Sequence, residues 1–241
     1  MPKSISIVIP AYNEAQRLPS TLARIIEYLD GSTFSFTEIL VVDDGSRDRT
    51  VAVASEYAAR RPGLRVLQNP GNRGKGYSVR HGMLEAEGDW ALFTDADLSS
   101  PIEEVEKLFA AVEASGAQVA IGSRALDRSL VGVHQPAFRE YAGRFFNLVM
   151  RLTTGLKFHD TQCGFKLFRK DAARAIFSRQ RLERFGFDAE VLYIGKLLGF
   201  ATAEVPVRWN DVAGSKVGTL AGLNGFVDLL RIRRNDWTGR Y

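Results

Sequence analysis

Short apolar runs rich in β-branched residues alternate with amphipathic segments along the first half of this chain. The segments between the runs, 14–30, 47–61, 75–87 and 101–115, repeat their apolar residues with helical spacing. Because a strand, a crossover helix and a parallel strand form a right-handed unit, this alternation predicts an α/β fold. We expect a single Rossmann-like, mostly parallel sheet with helices on both faces. The strand-like runs are 4–10, 38–44, 64–68, 90–95 and 117–123.

The second half of the chain departs from this rhythm after about residue 128. It contains no internal repeat, low-complexity tract or proline- and serine-rich linker. We therefore expect one continuous domain over 1–241, with residues 1–127 as one functional half and residues 128–241 as the other. The elements predicted for the second half are a helix near 138–153, a strand at 164–168, helices at 170–177 and 187–198, a strand at 201–209 and a last helix near 217–234.

The two halves carry opposite charge. Residues 1–127 contain 13 Lys and Arg against 18 Asp and Glu, a net charge of −5, whereas residues 128–241 contain 19 against 10, a net charge of +9. A basic half is typical of a protein that meets an anionic partner, such as a phosphorylated acceptor, a membrane surface or a nucleic acid. A face of solvated arginines would give the same count.

The composition excludes several classes of protein. The single Cys163 rules out an internal disulfide and a cysteine-built zinc site, so any metal must be held by oxygen or histidine. No apolar stretch approaches the ~18 residues of a membrane-spanning helix, and Met1 leads into SISIVIP without a signal-peptide pattern. We therefore expect a cytoplasmic protein.

The run WALFTD is followed by a second carboxylate, which places Asp95 and Asp97 one residue apart. Residues two apart in extended backbone point the same way, so both carboxylates face one spot, roughly 6–7 Å apart. A hard divalent cation, Mg²⁺ or Mn²⁺, would offset their repulsion and keep positions open for phosphate oxygens. The alternative is that they cap the next helix. However, Ser100, Pro101 and Glu103 already supply a cap, a first-turn proline and the acid of a capping box.

Polar residues also follow the other predicted strands, at the edge where parallel sheets bind ligands. Asp43 and Asp44 end the second run, and we expect one of them to accept hydrogen bonds from a ribose or base while the other serves the turn. Tyr12 offers a ring for base stacking and Glu14 an acceptor. The glycine-rich stretch 69–82 can hold phosphates or a base edge on its backbone N–H groups. It matches neither the P-loop nor the dinucleotide fingerprint.

Together, the stretches SIVIPAYNE, VVDDGS, GNRGKG and TDADLS, in this order and at strand ends, resemble the family-two glycosyltransferases of the GT-A fold. The resemblance implies a nucleotide-diphospho-sugar donor. It also implies Mg²⁺ or Mn²⁺ on the diphosphate, held by Asp95 and Asp97 as an Asp-X-Asp motif. The donor contacts assigned in this way are Pro10, Tyr12, Glu14, Asp43, Asp44, Gly74, Lys75, Asp95 and Ala96.

Four later stretches extend the resemblance, namely IGSR (121–124), HDTQCGFKLFRK (159–170), FGFDAEVL (185–192) and RWNDVAGSKV (208–217). They resemble the dolichyl- and polyprenyl-phosphate members of that family. The implied reaction is transfer of a hexose, glucose from UDP-glucose, to a polyprenyl or dolichyl phosphate at the cytoplasmic face of the membrane. The alternative donors are GDP-mannose and other sugar nucleotides, and the alternative acceptor is a soluble compound or a saccharide.

Arginines of the basic half suit a phosphate acceptor, because a guanidinium can bind phosphate through two parallel hydrogen bonds. Arg124 follows the fifth strand, and Arg139 and Arg144 lie on the next predicted helix. The resemblance assigns Arg124 and Arg139 to the acceptor phosphate. We add Arg144 to that group, with a solvated helix face as its alternative.

A phosphate monoester is already anionic at pH 7, since its second pKa is near 6, so it needs little help from a general base. We expect a single inverting displacement without a covalent enzyme intermediate. Asp95, Asp97, Arg124 and Asp160 are its expected catalytic residues, with Asp160 holding a sugar hydroxyl or orienting the site. A saccharide acceptor would instead require a carboxylate base. Two other acidic residues, Asp188 and Glu190, lie at the start of a later predicted helix and are alternatives for the role of Asp160.

Two predicted helices have apolar and basic faces. The last one, which runs into RIRRNDW, favours a peripheral membrane contact or a homo-oligomer contact, whereas core packing explains residues 138–152 equally well. A non-catalytic lipid- or nucleic-acid-binding protein is the remaining alternative, based on a pI of about 9.3. It leaves the paired carboxylates unexplained, because without a metal they would repel a phosphate chain. We therefore expect no nucleic-acid partner.

Overall fold

The computed structural model describes residues 3–133, 147–211 and 219–241. Strands and helices alternate through the first half, as predicted. The strands are β1 Ser4–Ala11, β2 Phe36–Asp43, β3 Leu64–Gln68, β4 Trp90–Thr94, β5 Val119–Ser123, β6 Val131–Val133, β7 Phe165–Arg169, β8 Thr202–Pro206 and β9 Trp209–Asn210. The helices are α1 Leu18–Asp30, α2 Thr50–Ala58, α3 Lys75–Glu85, α4 Val105–Ser115, α5 described over 147–154, α6 Lys170–Phe177, α7 Phe187–Leu197 and α8 Thr219–Trp237.

Seven strands form one sheet in the order β3-β2-β1-β4-β7-β5-β8. Every neighbouring pair is parallel except those of β7, which runs antiparallel to both β4 and β5. The predicted fold class, an α/β fold with a mostly parallel central sheet, is therefore confirmed, although β6 and β9 pair in a second, two-stranded sheet. The insertion of β7 between β4 and β5 was not predicted, and it brings a strand of the basic half between two strands of the acidic half.

Helices cover both faces of this sheet because successive strand residues point to opposite sides. Val8 of β1 packs in one apolar cluster with residues of α3, α6, α7 and α8, whereas Ile7 and Ile9 pack in another with residues of α1, α2 and α4. All three side chains are fully buried. With both faces covered, ligands can reach the sheet only along its edges, and the loops after β1, β2 and β4 lie at a common one.

The predicted capping box at the start of the fourth helix is wrong. A 3₁₀ turn, Ile102–Glu104, precedes α4, and no side chain caps it. Two side chains of the predicted box have distant partners instead: the Glu103 carboxylate lies 2.5 Å from Arg24 Nη2 of α1, and Ser100 Oγ lies 4.0 Å from the sulfur of Cys163. Local spacing could not anticipate partners 79 and 63 residues away.

The two helices with apolar and basic faces are described only in part. Residues 138–146 lie outside the described residues, and so do the side chains of Leu220 and Leu223. In α5, Leu148 and Leu152 are exposed while Met150 is buried. No helix within the described ranges is both long and apolar enough to cross a membrane.

Candidate active site

Asp95 and Asp97 follow the carboxyl end of β4, as predicted. Asp95 Oδ1 lies 2.5 Å from the ammonium of Lys75, and Asp97 Oδ1 accepts a hydrogen bond of 3.0 Å from the backbone N–H of Ser99. Burial and the neighbouring charge of Asp95 raise the pKa of the Asp97 carboxyl. Each cause disfavours a second negative charge, so this corner of the molecule favours an added cation.

The donor set at this corner suits a hard divalent cation. Two carboxylates supply oxygen ligands, and Mg²⁺ or Mn²⁺ commonly completes its shell with substrate phosphates and water. Among the described residues there is no group of three or more His, Cys, Asp or Glu that could hold a metal by themselves. A cation here would therefore depend on oxygen atoms from a bound phosphate or from water for the rest of its coordination.

Gly164 packs directly against Asp95, a contact that the sequence analysis missed. A Cβ atom at this position would lie 2.1 Å from Asp95 Oδ2. Only glycine therefore leaves the carboxylate where it is. The available signal was a glycine immediately before the short strand β7, which alone does not indicate what it faces.

Lys75 is the first residue of α3 and the only cation in direct contact with Asp95 among the described residues. Burial of its ammonium lowers the pKa, but the carboxylates of Asp95, Asp188 and Asp97 outweigh burial and raise it overall. Lys75 thus stays charged at neutral pH. It provides a fixed positive charge at the carboxylate pair, suited to an anionic ligand.

At the end of β2 one aspartate serves the turn, as expected, whereas the expected contact of the other with a ribose or base stays a prediction. Asp43 serves its own turn by accepting hydrogen bonds of 3.1 Å from the N–H groups of Gly45 and Ser46. Asp44 reaches further and holds the glycine-rich stretch through the N–H groups of Arg73, at 2.9 Å, and Gly74, at 2.8 Å. Both aspartates are buried.

The glycine-rich stretch is also held from its other side by the segment that precedes α7. Arg73 forms a two-pronged ion pair with Glu183, and the N–H of Tyr77 donates to the Glu183 carbonyl at 3.0 Å. Gly74 has a φ of 113°, and a Cβ there would lie 2.5 Å from the Glu183 carbonyl oxygen. Conformation and space together require glycine at this position.

The remaining predicted donor residues lie at the same sheet edge. Pro10 is in β1 opposite Val42 of β2, and Tyr12 and Glu14 follow that strand. The N–H of Glu14 donates to Thr50 Oγ1 at 2.8 Å, which joins the loop after β1 to α2. The carbonyl of Ala96, the residue between the two site aspartates, accepts from Thr21 Oγ1 at 2.5 Å.

Arg124 and Asp160 form a two-pronged ion pair. Arg124 Nε and Nη2 donate to the two carboxylate oxygens at 2.6 and 2.9 Å, and the Arg124 backbone N–H donates at 3.1 Å. Burial alone would raise the pKa of the Asp160 carboxyl, but the charge and hydrogen bonds of Arg124 outweigh burial and lower it to about 2. Asp160 is therefore an ionised partner of Arg124 and a weak proton acceptor.

Asp188 is likewise paired, with a lysine that the sequence analysis missed. The Lys166 ammonium, fully buried on β7, contacts the Asp188 carboxylate and donates to the Cys163 carbonyl at 2.6 Å. Asp188 is also within electrostatic range of Lys75 and Arg124. It acts as a shared counterion for cations on three separate elements.

The surroundings of Glu190 indicate a structural role. It is fully buried and accepts hydrogen bonds from the N–H of Leu182, at 2.8 Å, and from the Tyr241 hydroxyl, also at 2.8 Å. Two further predicted residues, Arg139 and Arg144, lie outside the described residues.

Comparison with known proteins identifies the family to which this site belongs. The model of the family described as glycosyl transferase family 2 matches residues 6–177, which include β1 from its third residue, all of β2 to β7 and both site aspartates. The chain belongs to glycosyl transferase family 2. The family expected from the motifs at the strand ends is thus confirmed, and the chain is a glycosyltransferase.

Curated relatives of this glycosyltransferase match nearly its whole length. A dolichyl-phosphate beta-glucosyltransferase of Drosophila melanogaster is 40% identical over 225 residues, which cover 88% of this chain and 69% of the relative. The dolichyl-phosphate beta-glucosyltransferase of Mus musculus is 37% identical over 253 residues, covering 99% of this chain and 78% of the relative.

Solved structures confirm the GT-A fold of this glycosyltransferase. The glucosyl-3-phosphoglycerate synthase of Mycobacterium tuberculosis, in complex with Mn²⁺, UDP and glucosyl-3-phosphoglycerate, superposes with a TM-score of 0.71 at 20% identity, covering 95% of this chain and 80% of that one. The mannosyl-3-phosphoglycerate synthase of Rubrobacter xylanophilus gives a TM-score of 0.71 at 19% identity, covering 99% and 76%. At these identities the likeness establishes the fold.

Proposed function

We propose that this glycosyltransferase moves glucose from UDP-glucose to a dolichyl or polyprenyl phosphate, with inversion at the anomeric carbon. The curated relatives at 33% to 40% identity support the sugar and the lipid phosphate, because they are named dolichyl-phosphate beta-glucosyltransferases. The observation on this chain that carries the proposal is the pairing of Asp160 with Arg124 and of Asp188 with Lys166.

This pairing bears on the acceptor because a sugar hydroxyl needs a free carboxylate base, whereas a phosphate monoester does not. With its second pKa near 6, the acceptor is already a nucleophile at pH 7. Both nearby carboxylates are committed to cations, and the pKa of Asp160 is lowered to about 2, which makes it a poor base. The site therefore suits an acceptor that arrives ionised.

In the proposed mechanism, Arg124 binds the acceptor phosphate. Its Nε and Nη2 are held by Asp160, which fixes the guanidinium plane and leaves Nη1 for a phosphate oxygen. Asp160 is thus a positioning residue, and Lys166 with Asp188 supports the cations around it. Arg139 and Arg144 remain proposed as further contacts to the same phosphate.

The donor diphosphate is proposed to lie between Asp95, Asp97 and Lys75. Lys75 offsets charge on the leaving UDP. The N–H groups of Arg73 and Gly74 donate to Asp44, so the glycine-rich stretch positions Lys75 and does not bind the nucleotide through these two groups. When bound by Asp95 and Asp97, Mg²⁺ or Mn²⁺ would supply further positive charge at the diphosphate. The other proposed donor contacts are those of the strand ends, namely Pro10, Tyr12, Glu14, Asp43, Asp44 and Ala96.

The decisive experiment incubates the purified chain and MgCl₂ or MnCl₂ with UDP-glucose and a short-chain polyprenyl phosphate in detergent, and measures UDP release and the glucosylated lipid. We expect product with UDP-glucose and much less with UDP-galactose or GDP-mannose. The matched control acceptor is the same polyprenol without its phosphate, which should be inert.

Three results would contradict the proposal. Equal turnover with the unphosphorylated polyprenol would show that the nucleophile is a hydroxyl. Faster turnover with GDP-mannose would change the donor. Product with a soluble phosphate monoester but not with the lipid phosphate would change the acceptor class.

A further inference from the structure

The outward face of α8 interleaves apolar and basic side chains. Five of its residues share one side of the helix, because they are spaced three, one, three and three positions apart: Val227, Leu230, Arg231, Arg234 and Trp237. The exposed fraction is 66% for Leu230 and 78% for Trp237. The opposite side is buried against the rest of the molecule through Asp228, Leu229, Ile232 and Asn235. We call the exposed side the α8 outer face.

A basic cleft adjoins the α8 outer face. It has a volume of about 540 Å³, and four arginines from three separate parts of the chain line it. Arg231 and Arg234 come from α8, Arg181 from the segment before α7, and Arg240 from the end of the described chain. The remaining lining residues are Leu182 and Asn235.

This cleft carries an excess of positive charge. Arg231 pairs with Asp228 at 3.0 Å, but Arg181, Arg234 and Arg240 have no carboxylate within 4.0 Å among the described residues. The one other acid of α8 in this stretch, Asp236, accepts a hydrogen bond of 2.7 Å from the Tyr193 hydroxyl on α7. Both described carboxylates of the helix are thus engaged by other side chains, whereas Arg234 faces outward without a carboxylate partner among the described residues.

We propose that the α8 outer face and the basic cleft together bind the surface of a bilayer that contains anionic phospholipids, with headgroup phosphates in the cleft. Leucine and tryptophan at the headgroup level bury apolar surface, and arginines beside them contact lipid phosphates. A soluble anion would use the cleft but leave Leu230 and Trp237 in water. A nucleic acid would gain nothing from Val227 and Leu230. The combination therefore favours a lipid surface over either of these partners.

The cleft is joined rigidly to the donor side of the active site. Gln180, next to Arg181, donates to the Gly76 carbonyl at 2.9 Å, and Glu183 holds Arg73 and Tyr77. Gly186, just before α7, packs so closely on Asp228 that a Cβ there would lie 2.4 Å from its Oδ2. Lipid binding on α8 would therefore fix how the donor site is held relative to the membrane.

This inference rests on the proposed function and adds to its lipid phosphate acceptor a second class of lipid, the anionic phospholipids of the bilayer. It can be tested without the sugar donor and without the acceptor. The full chain is floated with vesicles of phosphatidylcholine alone and with vesicles of phosphatidylcholine and phosphatidylglycerol in equal parts. We expect binding only to the second kind. Because each arginine near an anionic surface contributes about fivefold in affinity, Arg231→Gln with Arg234→Gln should weaken binding roughly 25-fold.

A matched control replaces two exposed arginines on the opposite side of the sheet, Arg49→Gln with Arg60→Gln, and should leave vesicle binding unchanged. A second variant, Leu230→Ser with Trp237→Ser, keeps every charge and should also lose binding. Circular dichroism and thermal unfolding verify that each variant is folded.

Several results would overturn the inference. One is an equal loss of vesicle binding in the control pair and in the α8 arginine pair. Another is full vesicle binding by the Leu230→Ser, Trp237→Ser variant. A third is displacement of the chain from vesicles by inorganic phosphate or single-stranded DNA at low concentration. Turnover of the short-chain acceptor in detergent is measured in parallel. If it persists while vesicle binding is absent, the surface proposal fails and the proposed reaction stands.

Discussion

Asp160 and Asp188 look in the sequence like two candidate bases, and the structure makes both of them counterions. Arg124 binds Asp160 through two guanidinium nitrogens, and the fully buried ammonium of Lys166 contacts Asp188. A carboxylate held in this way stabilises the cation beside it, and for Asp160 the lowered pKa disfavours proton uptake. Each of these aspartates therefore contributes to the reaction by positioning its cationic partner and balancing that partner's charge.

The pH dependence of turnover tests this assignment. For the lipid phosphate acceptor we expect kcat/KM to fall below about pH 6, where the acceptor takes up its second proton. Asp160→Asn and Asp188→Asn should lower the plateau but leave the midpoint of this fall in place. A midpoint that moves or vanishes in either variant would identify that carboxylate as the base. The measurement is the pH profile of initial rates for all three proteins.

Acid stability tests the Arg124–Asp160 pair independently of activity. The pKa of Asp160 is about 2 in the folded chain, below its ordinary value, so the pair stabilises the fold at neutral pH and loses this contribution as the pH falls through that value. We expect wild type to lose roughly 2 kcal/mol more of its unfolding free energy than Asp160→Asn between pH 4 and 2. Urea unfolding at stepped pH measures it.

The control for this experiment is Asp171→Asn, which removes an exposed ion pair with Arg169. Surface pairs contribute little, so its unfolding curve should follow that of wild type within about 1 kcal/mol at each pH. If Asp160→Asn and Asp171→Asn give the same pH dependence, the buried pair is not what stabilises the fold.

Gly164 provides a third test, because its missing side chain leaves room for Asp95. In Gly164→Ala the new Cβ would lie 2.1 Å from Asp95 Oδ2, so the carboxylate must swing away, and a displacement of about 1 Å at a reacting centre can cost roughly 100-fold in rate. We expect kcat to fall on that order. The side chain of Asp95 is 34% exposed and can move outward, so the melting temperature should change little.

A suitable control for Gly164→Ala is Gly31→Ala, where the nearest atom to the new Cβ is 3.6 Å away. This variant should retain wild-type kcat. If Gly164→Ala also retained wild-type kcat, the position of Asp95 would not determine the rate of turnover, and the prediction would be contradicted.

The glycine-rich stretch before α3 is an element held in place from two sides. Asp44 binds the N–H groups of Arg73 and Gly74, and Glu183 binds the Arg73 guanidinium. The loop has no secondary structure of its own up to α3, so these contacts set its shape. An element of this kind depends on side chains from elsewhere more than on its own sequence.

Replacing Asp44 by Asn should loosen this loop. The amide nitrogen cannot accept a hydrogen bond, so one of the two backbone N–H groups loses its acceptor and the other keeps only an uncharged one, a loss of about 1.5–3 kcal/mol in comparable cases. We expect UDP to bind at least tenfold more weakly, as measured by isothermal titration calorimetry. Asp127→Asn, which removes an exposed turn contact to the Ser129 N–H, should bind UDP as wild type does. Equal UDP affinity in all three proteins would contradict the role of the loop.

The complete molecule brings acidic and basic halves together in one sheet. β7, from the basic half, lies between β4 and β5 of the acidic half. Gly164, just before β7, therefore packs against Asp95, which follows β4, and Lys166 of β7 contacts Asp188 of α7. A ligand that binds across this junction contacts both halves. It should therefore stabilise the molecule as a unit.

Thermal unfolding with UDP and MnCl₂ tests this coupling. At a ligand concentration 100 times its dissociation constant, a ligand that binds only the folded state stabilises it by about 2.7 kcal/mol. We expect a clear rise in melting temperature with both ligands and a smaller one with UDP and EDTA. Asp97→Asn should show no difference between these two conditions. A metal-dependent rise that persists in Asp97→Asn would move the metal away from this pair.

The strand and helix periods, and the polar motifs after each strand, were sufficient to predict the α/β class and the sheet edge at which Asp44, Asp95 and Asp97 all lie. Periodicity and turn chemistry depend on residues that are close together along the chain, so both can be recognised in a single sequence. The state of each carboxylate was not predictable. Asp160 is 36 residues from Arg124, Asp188 is 22 residues from Lys166, and Gly164 is far along the chain from Asp95. These partners meet only because β7 enters the sheet antiparallel between β4 and β5, and a charge is set by what lies beside it in space.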